Sequence, residues 1–372
     1  MADDELIKAV NQCLDFLRGG GEYSISVPPF DGALRPNERI EEGRIVASVQ
    51  APDNLVLAAT GVHFSSGRKL LRLAVAAGEN DRAEPVEVQE LTSQITAIAA
   101  CGDGLAVGLE GGGVSIVGGA QRGRTFAELE RTPLNCPTAL AFADPATLYV
   151  ANGSSRHAPS KWKHDLLESG ASGTVWRVDL PSGRATQLAD GLAYPYGLLP
   201  TPAGGLLLSE SWRHRLILIA AGGSHATVLQ NLAAYPSRIS TCADGGAWVA
   251  MFAPRRRLIE FVLREPAYRR RMMTEIGSDY WIAPTLAPMS SFLEPLQGGT
   301  LKKLARLKPW APTPSYGLIM RIDDRFQPVD SLHSRADGTR HGIRSVLETP
   351  GGLLAASAGA NAIVAISRNE AA

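Results

Sequence analysis

The sequence predicts an all-β fold, a six-bladed β-propeller, from three observations. Short apolar runs recur along the chain, each bounded by Gly or Pro, a pattern typical of antiparallel strands joined by tight turns. The same order of turn, glycine pair and strand recurs at residues 194–219, 235–251 and 342–366. Its period of roughly 40 to 50 residues, built from strands alone, is that of a propeller blade.

The blades can be followed in order along the chain. Strands are expected at 44–49, 51–56, 62–64 and 70–73, then at 95–98, 104–108 and 114–117, then at 136–140, 148–152 and 173–178. The fourth blade is placed at 188–219 and the fifth begins at 235–251. The strand pattern returns at 315–322, and the sixth blade ends near residue 367. The glycine run at 111–113 lacks the residues of a phosphate loop and predicts a tight hairpin.

Three segments depart from the strand pattern. Residues 1–43 are expected as an N-terminal helix, with Leu6, Val10, Leu14 and Leu17 on one face, followed by a Pro-rich connector; residues 44–372 form the propeller. An insertion at 154–173 has a helical centre at 162–167. A helical and Pro-rich excursion at about 264–314, helical at 269–273 and 301–304, is expected across one face, where Trp281 and Trp310 either cover a ligand or pack.

Composition narrows the classes of function. The 37 basic and 37 acidic side chains cancel, so no general field attracts nucleic acid or an anionic membrane. The 4 cysteines are scattered without a CxxC pair, which supports neither a zinc knuckle nor a redox motif. The acidic N-terminus is unlike a secretory signal, and no apolar run approaches the roughly 18 residues of a spanning helix. A cytoplasmic protein with a small-molecule partner is therefore expected.

Several stretches resemble the strictosidine synthase-like family. They are LYV at 148–150 with NGSS at 152–155, LAYPYG at 192–197, LSES at 208–211 and GAWVA at 246–250. The likeness runs over about residues 53–367 and is most specific over 148–251. That family is a six-bladed propeller related to gluconolactonases, paraoxonases and other calcium-dependent esterases, so the resemblance implies the same fold.

The resemblance also identifies where a metal would lie. In the hydrolytic relatives, turns before the innermost strands place oxygen ligands around a central cation. Asp53 keeps a carboxylate at one such position, but Thr138 and Tyr196 stand where the relatives have Asn, and Ser237-Arg238 replaces an Asp-Asn pair. Because a guanidinium repels a dication, no cofactor is expected and calcium is disfavoured.

The plant synthase uses a glutamate near the start of the sixth blade as its general acid and base. The matching position is Arg344, which cannot exchange a proton near neutral pH, so strictosidine synthesis is disfavoured.

Six positions are expected to begin the six inner strands and to point at one axis: Asp53, Thr96, Thr138, Tyr196, Arg238 and Arg344. Two guanidiniums with a phenol and hydroxyls suit a carboxylate or phosphate, since arginine binds both bidentately. The alternative is that both arginines pair with Asp53 and fill the channel.

Other residues extend the candidate site. Glu210 is a candidate general base, or it bonds a neighbouring loop. Asn152, Trp212 and His341 are candidate substrate-binding residues with Thr138 and Tyr196, and each has a structural alternative in a turn, a packed ring or a bonded loop. The arginines at 255–257 are expected in a solvated loop.

Three functions remain open. The leading one is an enzyme acting on a small organic molecule, hydrolysing an ester or lactone without a metal. Asp53 or Glu210 would activate water, and Arg238 or Arg344 would stabilise the oxyanion. The second is a non-catalytic propeller that binds an anionic metabolite or a protein partner. The third and weaker one is a lyase or condensing enzyme that uses Glu210.

Overall fold

A computed structural model describes residues 27–73, 83–288 and 315–367, together with the backbone of two short strands at 302–303 and 306–307. The predicted six-bladed propeller is confirmed, because six four-stranded antiparallel sheets are present. Their innermost strands are neighbours in a closed ring, each packed beside the next. The ring brings the ends of six distant segments to one axis.

The strands follow in chain order. They begin with β1 (Arg44–Ser48), and blade 1 holds β2 (Asp53–Ala58), β3 (Gly61–Ser66), β4 (Lys69–Leu73) and β5 (Pro85–Glu90). Blade 2 holds β6 (Ile95–Cys101), β7 (Gly104–Leu109), β8 (Gly113–Gly118) and β9 (Thr125–Phe126), and a small hairpin follows, β10 (Glu128–Leu129) with β11 (Thr132–Pro133). Blade 3 holds β12 (Pro137–Asp144), β13 (Thr147–Asn152), β14 (Gly173–Asp179) and β15 (Ala185–Leu192).

The second half repeats the pattern. Blade 4 holds β16 (Pro195–Pro200), β17 (Leu206–Glu210), β18 (Arg215–Ile219) and β19 (His225–Leu229). Blade 5 begins with β20 (Ala234–Thr241) and β21 (Ala247–Pro254) and, after the hairpin of β22 (Lys302–Lys303) and β23 (Arg306–Leu307), continues with β24 (Leu318–Ile322) and β25 (Pro328–His333). Blade 6 holds β26 (Ile343–Thr349), β27 (Gly352–Ser357) and β28 (Ala362–Ile366) and is completed by β1.

Blade 6 closes the ring by joining the two ends of the propeller. Its outermost strand is β1, which pairs antiparallel with β28 from Arg44 opposite Ala365 to Ser48 opposite Ala362. The sequence predicts β1 as a strand but not its partner, because the two lie more than 300 residues apart. Opening the ring therefore requires the loss of this pairing.

The interfaces between blades are apolar, and their inner ends are tied by hydroxyl groups. Buried aliphatic and aromatic side chains of adjacent sheets pack together, as in the cluster of blades 2 and 3 around Val114, Leu148 and Trp176. Four hydroxyls donate to a carbonyl of the next inner strand: Thr96 to Pro137 (2.6 Å), Thr138 to Pro195 (2.5 Å), Ser209 to Ser237 (2.6 Å) and Ser237 to Arg344 (2.9 Å). These bonds fix the orientation of the strands that line the channel.

Two sequence predictions about the strands require correction. The stretch placed in blade 4 from residue 188 begins within β15, the outer strand of blade 3, and blade 4 starts only at Pro195. The outer strands β5 and β19 were not predicted. Both are outermost strands and largely exposed. In β5, Val86 and Val88 alternate with polar residues, so the strand pattern was present in the sequence and was missed.

Four α-helices accompany the strands in the described residues. The predicted helix in the insertion is confirmed as α2 (Trp162–Leu167), after α1 (Arg39–Glu42), and α4 (Pro266–Glu275) covers the predicted helix at 269–273. The loop expected at 255–257 is wrong: α3 (Arg257–Leu263) starts there, Arg256 is buried, and Arg255 pairs with Glu260 at 3.1 Å. The backbone at 302–303 forms β22, so the helix expected at 301–304 is also wrong.

Some predictions fall outside the described residues. They concern the helix before residue 27, Cys13, and Trp310. In the described connector, Asn37 donates to the Ser331 carbonyl at 2.8 Å and Arg39 pairs with Asp330 at 2.9 Å, so this segment lies against blade 5. Within the part of the chain that the structure describes, no helix has the length and apolar character needed to cross a membrane.

Candidate functional site

The six positions expected at the axis do converge there. Asp53, Thr96, Thr138, Tyr196, Arg238 and Arg344 each lie on the innermost strand of a different blade. All except Arg238 line one cavity that opens to solvent. The floor of this cavity is charged and its walls are aromatic.

Asp53 and Arg238 form a buried, two-point ion pair across the channel. Arg238 Nε donates to Asp53 Oδ1 at 2.7 Å, and Nη2 donates to Oδ2 at 3.0 Å. The Asn54 amide also donates to Oδ1 at 2.7 Å. Burial by itself would raise the pKa of Asp53, but the charges of Arg238 and Arg344 and these hydrogen bonds outweigh it and lower the pKa. Asp53 is therefore an ionised and poorly basic carboxylate.

The remaining hydrogen bonds of Arg238 go to the neighbouring blades. Its Nη1 donates to the Thr138 carbonyl and its Nη2 to the Thr96 carbonyl, both at 2.8 Å. Its guanidinium carbon lies 5.1 Å from the centre of the Tyr196 ring, a cation–π contact. Arg238 thus links blade 5 to blades 1, 2 and 3. This is the channel-filling alternative, and for Arg238 the geometry matches it.

Arg344 is held far more loosely. Its Nε lies 3.6 Å from Asp53 Oδ2, beyond hydrogen-bond distance, and has no hydrogen-bond partner among the described residues. Its Nη2 donates to the Ala51 carbonyl at 3.0 Å. The side chain is 17% exposed and lines the cavity. Arg344 is therefore the guanidinium that can meet a ligand.

Tyr196 stands between the charged floor and the aromatic wall. Burial raises the pKa of its hydroxyl, the Asp53 carboxylate raises it further, and Arg344 and Arg238 oppose the rise. The phenol consequently stays protonated and can donate a hydrogen bond. Its ring centre lies 5.5 Å from that of Tyr194 and 5.9 Å from that of Phe252.

The aromatic wall is the part of the site that sequence reasoning missed. Trp212 was predicted, but the structure adds Trp162 from α2, Tyr194 from the turn before β16 and Phe252 from β21. Tyr194 adopts a positive φ of 61°, a conformation uncommon for a residue other than glycine. The wall could have been suspected from the aromatic residues of LAYPYG and of the insertion, but their spacing along the chain does not reveal their proximity.

An unpredicted carboxylate anchors this wall. Asp165 of α2 is buried, and its Oδ1 accepts a 2.7 Å hydrogen bond from Trp212 Nε1. Arg269 of α4 in turn donates to Ser169 at 2.7 Å, just after α2. The insertion and the excursion are therefore fastened to each other and to blade 4, and they hold one side of the cavity in place.

Glu210 does not reach the cavity. Its side chain is 0% exposed, and Oε1 accepts from the Ala193 amide and from Arg213 Nη1, both at 2.7 Å. Oε2 accepts from Arg215 Nε. The carboxylate is enclosed within blade 4 and has no path to a substrate, which corrects its nomination as a general base. Its loop-bonding alternative describes the geometry.

Asn152 and His341 also lie away from the cavity. Asn152 Oδ1 accepts from the Cys136 amide at 2.8 Å, and its Nδ2 donates to the Ser154 carbonyl at 3.3 Å. His341 is buried between Ser315 Oγ (2.7 Å) and the Arg335 carbonyl (2.8 Å), and burial lowers its pKa. Both side chains hold loops, so the structure does not bring them to a ligand.

The residues at the hub do not fit a calcium ion. Both oxygens of Asp53 face guanidiniums, and the oxygen of Asn152 is already bonded to a backbone amide. Within residues 27–73, 83–288 and 315–367 there is no group of three His, Cys, Asp or Glu side chains placed to hold a metal. A hard cation needs several converging oxygens and would meet two positive charges instead.

Comparisons with solved structures agree with the fold. A candidate gluconolactonase superimposes with a TM-score of 0.53 and 13% identity, covering 88% of this chain and 91% of its own. The gluconolactonase XC5397 from Xanthomonas campestris superimposes with a TM-score of 0.53 and 12% identity, and the alignment covers 87% of this chain and 88% of that protein. At such low identity these likenesses establish the propeller fold alone.

Comparisons with sequences are more limited. No protein-family model matches the chain. Proteins named adipocyte plasma membrane-associated protein are 24% identical in Danio rerio and 25% identical in Salmo salar, each over 145 residues. The match covers 37% of this chain and spans about a third, 35%, of the length of these relatives. The chain is thus a six-bladed propeller. Its structural neighbours include gluconolactonases, and its distant sequence relatives include adipocyte plasma membrane-associated proteins.

Proposed function

We propose that the central cavity binds a small organic anion and that Arg344 meets its carboxylate or phosphate. The observation that carries this proposal is the contrast between the two hub arginines. Arg238 is bonded through Nε, Nη1 and Nη2, whereas Arg344 donates through Nη2 to the Ala51 carbonyl and its side chain lines the cavity. The Arg344 Nε is buried beside Asp53 and has no hydrogen-bond partner among the described residues. A partly exposed guanidinium that the protein bonds at few points can donate to an anion in the cavity, and a hydrogen bond to a charged group is among the stronger ones.

The charge of the hub favours an anion. Two guanidiniums and one carboxylate leave one positive charge on the cavity floor, and Asp53 already offsets Arg238 at hydrogen-bond distance. The side chains lie in a partly enclosed site, where charge–charge interactions are stronger than in water. Tyr196 lies beside Arg344, whose side chain hydrogen-bonds the phenol oxygen, and the phenol keeps a proton to donate. A carboxylate bonded to both groups fits this floor.

A second candidate function is metal-independent hydrolysis of an ester or lactone, supported by the gluconolactonase-like fold. Water would add to the carbonyl carbon, the C–O bond to the leaving alcohol would break, and a carboxylate would form. Arg344 and Tyr196 can stabilise the oxyanion of the intermediate, since both can donate to one oxygen. Asp53 has a lowered pKa and is a weak base, so an activated ester is expected to react faster than an unactivated one.

The remaining alternatives find less support. A lyase that uses Glu210 lacks a path, because that carboxylate is enclosed within blade 4. No calcium is included in the proposal, because guanidiniums face both oxygens of Asp53.

Binding can be tested by ligand-dependent melting. The melting temperature of the full chain would be measured with benzoate, hexanoate and inorganic phosphate, for the wild type and for Arg344→Gln. We expect stabilisation of the wild type and a loss of affinity of about 10- to 100-fold in the variant, as removing a hydrogen bond to a charged group costs about 1.5–3 kcal/mol. Arg271→Gln is the matched control, because Arg271 is 76% exposed on α4. Equal stabilisation of Arg344→Gln would reject the proposal.

Hydrolysis is tested separately. Acid release from aryl esters and lactones would be followed with excess chelator and with added calcium. Metal-independent hydrolysis predicts equal rates with chelator and with calcium, and a loss of turnover in Arg344→Gln. Activity that requires calcium would contradict it, and binding without turnover would leave the first function standing alone.

A further inference from the structure

The chemistry of the cavity wall restricts the ligand more narrowly than its charge does. We propose that the cavity selects an aromatic carboxylate, or an ester of one, and discriminates against polyhydroxylated acids and lactones. This inference rests on the proposed anion site and adds the class of molecule that the anion belongs to.

The wall presents stacked rings. Tyr194 and Trp212 are stacked with ring centres 4.4 Å apart and planes at 24°, and Trp162 continues the stack at 6.1 Å and 30°. Phe252 lies edge-on to Trp162 at 5.6 Å. A flat ring system can extend such a stack or meet its edge, and both arrangements are favourable between aromatic groups.

The polar atoms of two of these rings, Trp212 and Tyr194, are already engaged. Trp212 Nε1 donates to Asp165 at 2.7 Å, away from the cavity. Burial raises the pKa of Tyr194 well above its ordinary value, and a hydrogen bond with the Cys136 side chain contributes to the rise. The wall therefore offers ring faces and few hydrogen-bonding groups to a ligand.

Three of the hydroxyls that line the cavity, those of Thr96, Thr138 and Ser65, are engaged as well. Thr96 donates to the Pro137 carbonyl at 2.6 Å and Thr138 to the Pro195 carbonyl at 2.5 Å. Ser65 donates to the Asp53 carbonyl at 3.3 Å and accepts from Asn54 at 2.8 Å. A sugar acid in this cavity would give up water at each of its hydroxyls, while few lining side chains, such as Gln94 and Tyr196, remain to bond them. The low affinity expected for polyols follows from this set of bonds.

Tyr196 sets how far the carboxylate stands from the ring. Its side chain contacts the Arg238 guanidinium at 5.1 Å and the Tyr194 ring at 5.5 Å, so the charged floor and the aromatic wall meet at one residue. A ligand that spans them has its carboxylate attached to the ring directly or through a short link.

A matched set of acids tests the inference. Calorimetry on the full chain would compare naphthalene-2-carboxylate, its fully saturated decahydro counterpart and gluconate, which all carry one carboxylate. We expect the flat acid to bind roughly 2- to 12-fold more tightly than the saturated one, the range that aromatic contacts contribute beyond buried area, and gluconate to bind most weakly.

Variants of the wall assign the preference. Trp162→Leu should lower the affinity for the flat acid more than the affinity for the saturated acid, so that the ratio of the two affinities approaches one. Trp162→Phe keeps an aromatic ring and should retain much of that ratio. Tyr268→Leu is the control, because Tyr268 is an exposed aromatic residue of α4. Melting curves of each variant show whether it is folded.

The outcomes separate this inference from the proposed function. Tighter binding of gluconate or of the saturated acid would overturn the aromatic preference while leaving anion binding intact. Equal binding of neutral naphthalene-2-methanol, unaffected by Arg344→Gln, would overturn anion binding while supporting the aromatic wall. Binding of none of the three acids would overturn both.

Discussion

Two buried carboxylates in this propeller each lie between two arginines, yet they belong to different kinds of structure. Glu210 sits at the end of β17 and is bonded by Arg213 and Arg215, three and five residues away in the same blade. Asp53 sits at the hub and meets arginines from two other blades, 185 and more residues away in sequence. The first cluster is local and the second spans the ring.

This difference in range has a functional consequence. A local cluster can satisfy all of its groups, because a short turn adjusts until each donor finds an acceptor; both oxygens of Glu210 are bonded. At the hub, six rigid strands fix where each side chain begins, and Arg344 Nε is left without a hydrogen-bond partner among the described residues. We infer that a ligand can supply hydrogen-bond acceptors to the ring-spanning cluster around Asp53, and that the local cluster around Glu210 is structural.

The largest expected effect is on the Asp53–Arg238 pair. Arg238→Met should lower the free energy of unfolding by about 3–5 kcal/mol, because it leaves Asp53 charged in a buried site with only the loosely placed Arg344 beside it. Urea unfolding measures this. The double variant Asp53→Leu/Arg238→Met should be much less destabilised than the sum of the single changes, since it leaves no buried charge unpaired. Additive losses would contradict the pairing.

Acidification should weaken the same Asp53–Arg238 pair, with a smaller loss in the free energy of unfolding than Arg238→Met causes, because a protonated Asp53 still fills its site. The pKa of Asp53 is lowered in the folded chain, so its contribution to stability is complete above the pKa of an unfolded aspartate, about 4. That contribution is lost as the pH falls from there through the folded pKa. The free energy of unfolding of Asp53→Asn should therefore fall less steeply below pH 4 than that of the wild type. Parallel curves would mean that Asp53 is not held ionised.

Glu210→Gln should cost less than Arg238→Met, about 1–3 kcal/mol in the same urea measurement. The amide keeps an oxygen for the Ala193 amide but places a donor opposite an arginine. The two arginines are 45% and 29% exposed and remain hydrated, unlike the buried Asp53. Glu275→Gln, in the exposed pair with Arg271, is the control and should change stability by 1 kcal/mol at most. No loss of anion binding is expected, and such a loss would return Glu210 to the site.

The local and ring-spanning clusters also differ in how far the sequence predicts them. The recurring turns locate the inner strands, and the placement of Asp53, Arg238 and Arg344 on three of them follows from that repeat. Asp53 and Arg344 lie at the start of their strands, as expected, whereas Arg238 lies in the middle of β20. Their convergence was therefore predictable. Which arginine would be saturated was not, because it depends on where the carbonyls of Thr96 and Thr138 lie relative to Arg238.

The aromatic wall could not be derived in the same way. Trp162 belongs to an insertion and Phe252 to the second strand of blade 5, so neither follows the repeat that places the hub residues. For Glu210, alternation along β17 left both directions open. Its burial comes from Arg213 and Arg215 folding back over it, which is a feature of one turn and not of the blade pattern.

The smallest stability effect is expected at Arg344, although its effect on ligand binding is large. Arg344→Gln removes a 3.6 Å contact with Asp53 and one bond to the Ala51 carbonyl, while Arg238 keeps both of its bonds to Asp53. The free energy of unfolding should change by at most about 1 kcal/mol, the net contribution of one ordinary hydrogen bond. The same protein should lose carboxylate affinity by about 10- to 100-fold, measured by calorimetry. A loss of stability as large as that of Arg238→Met would show that both arginines hold the ring together, and the distinction between a structural and a ligand-binding guanidinium would then fail.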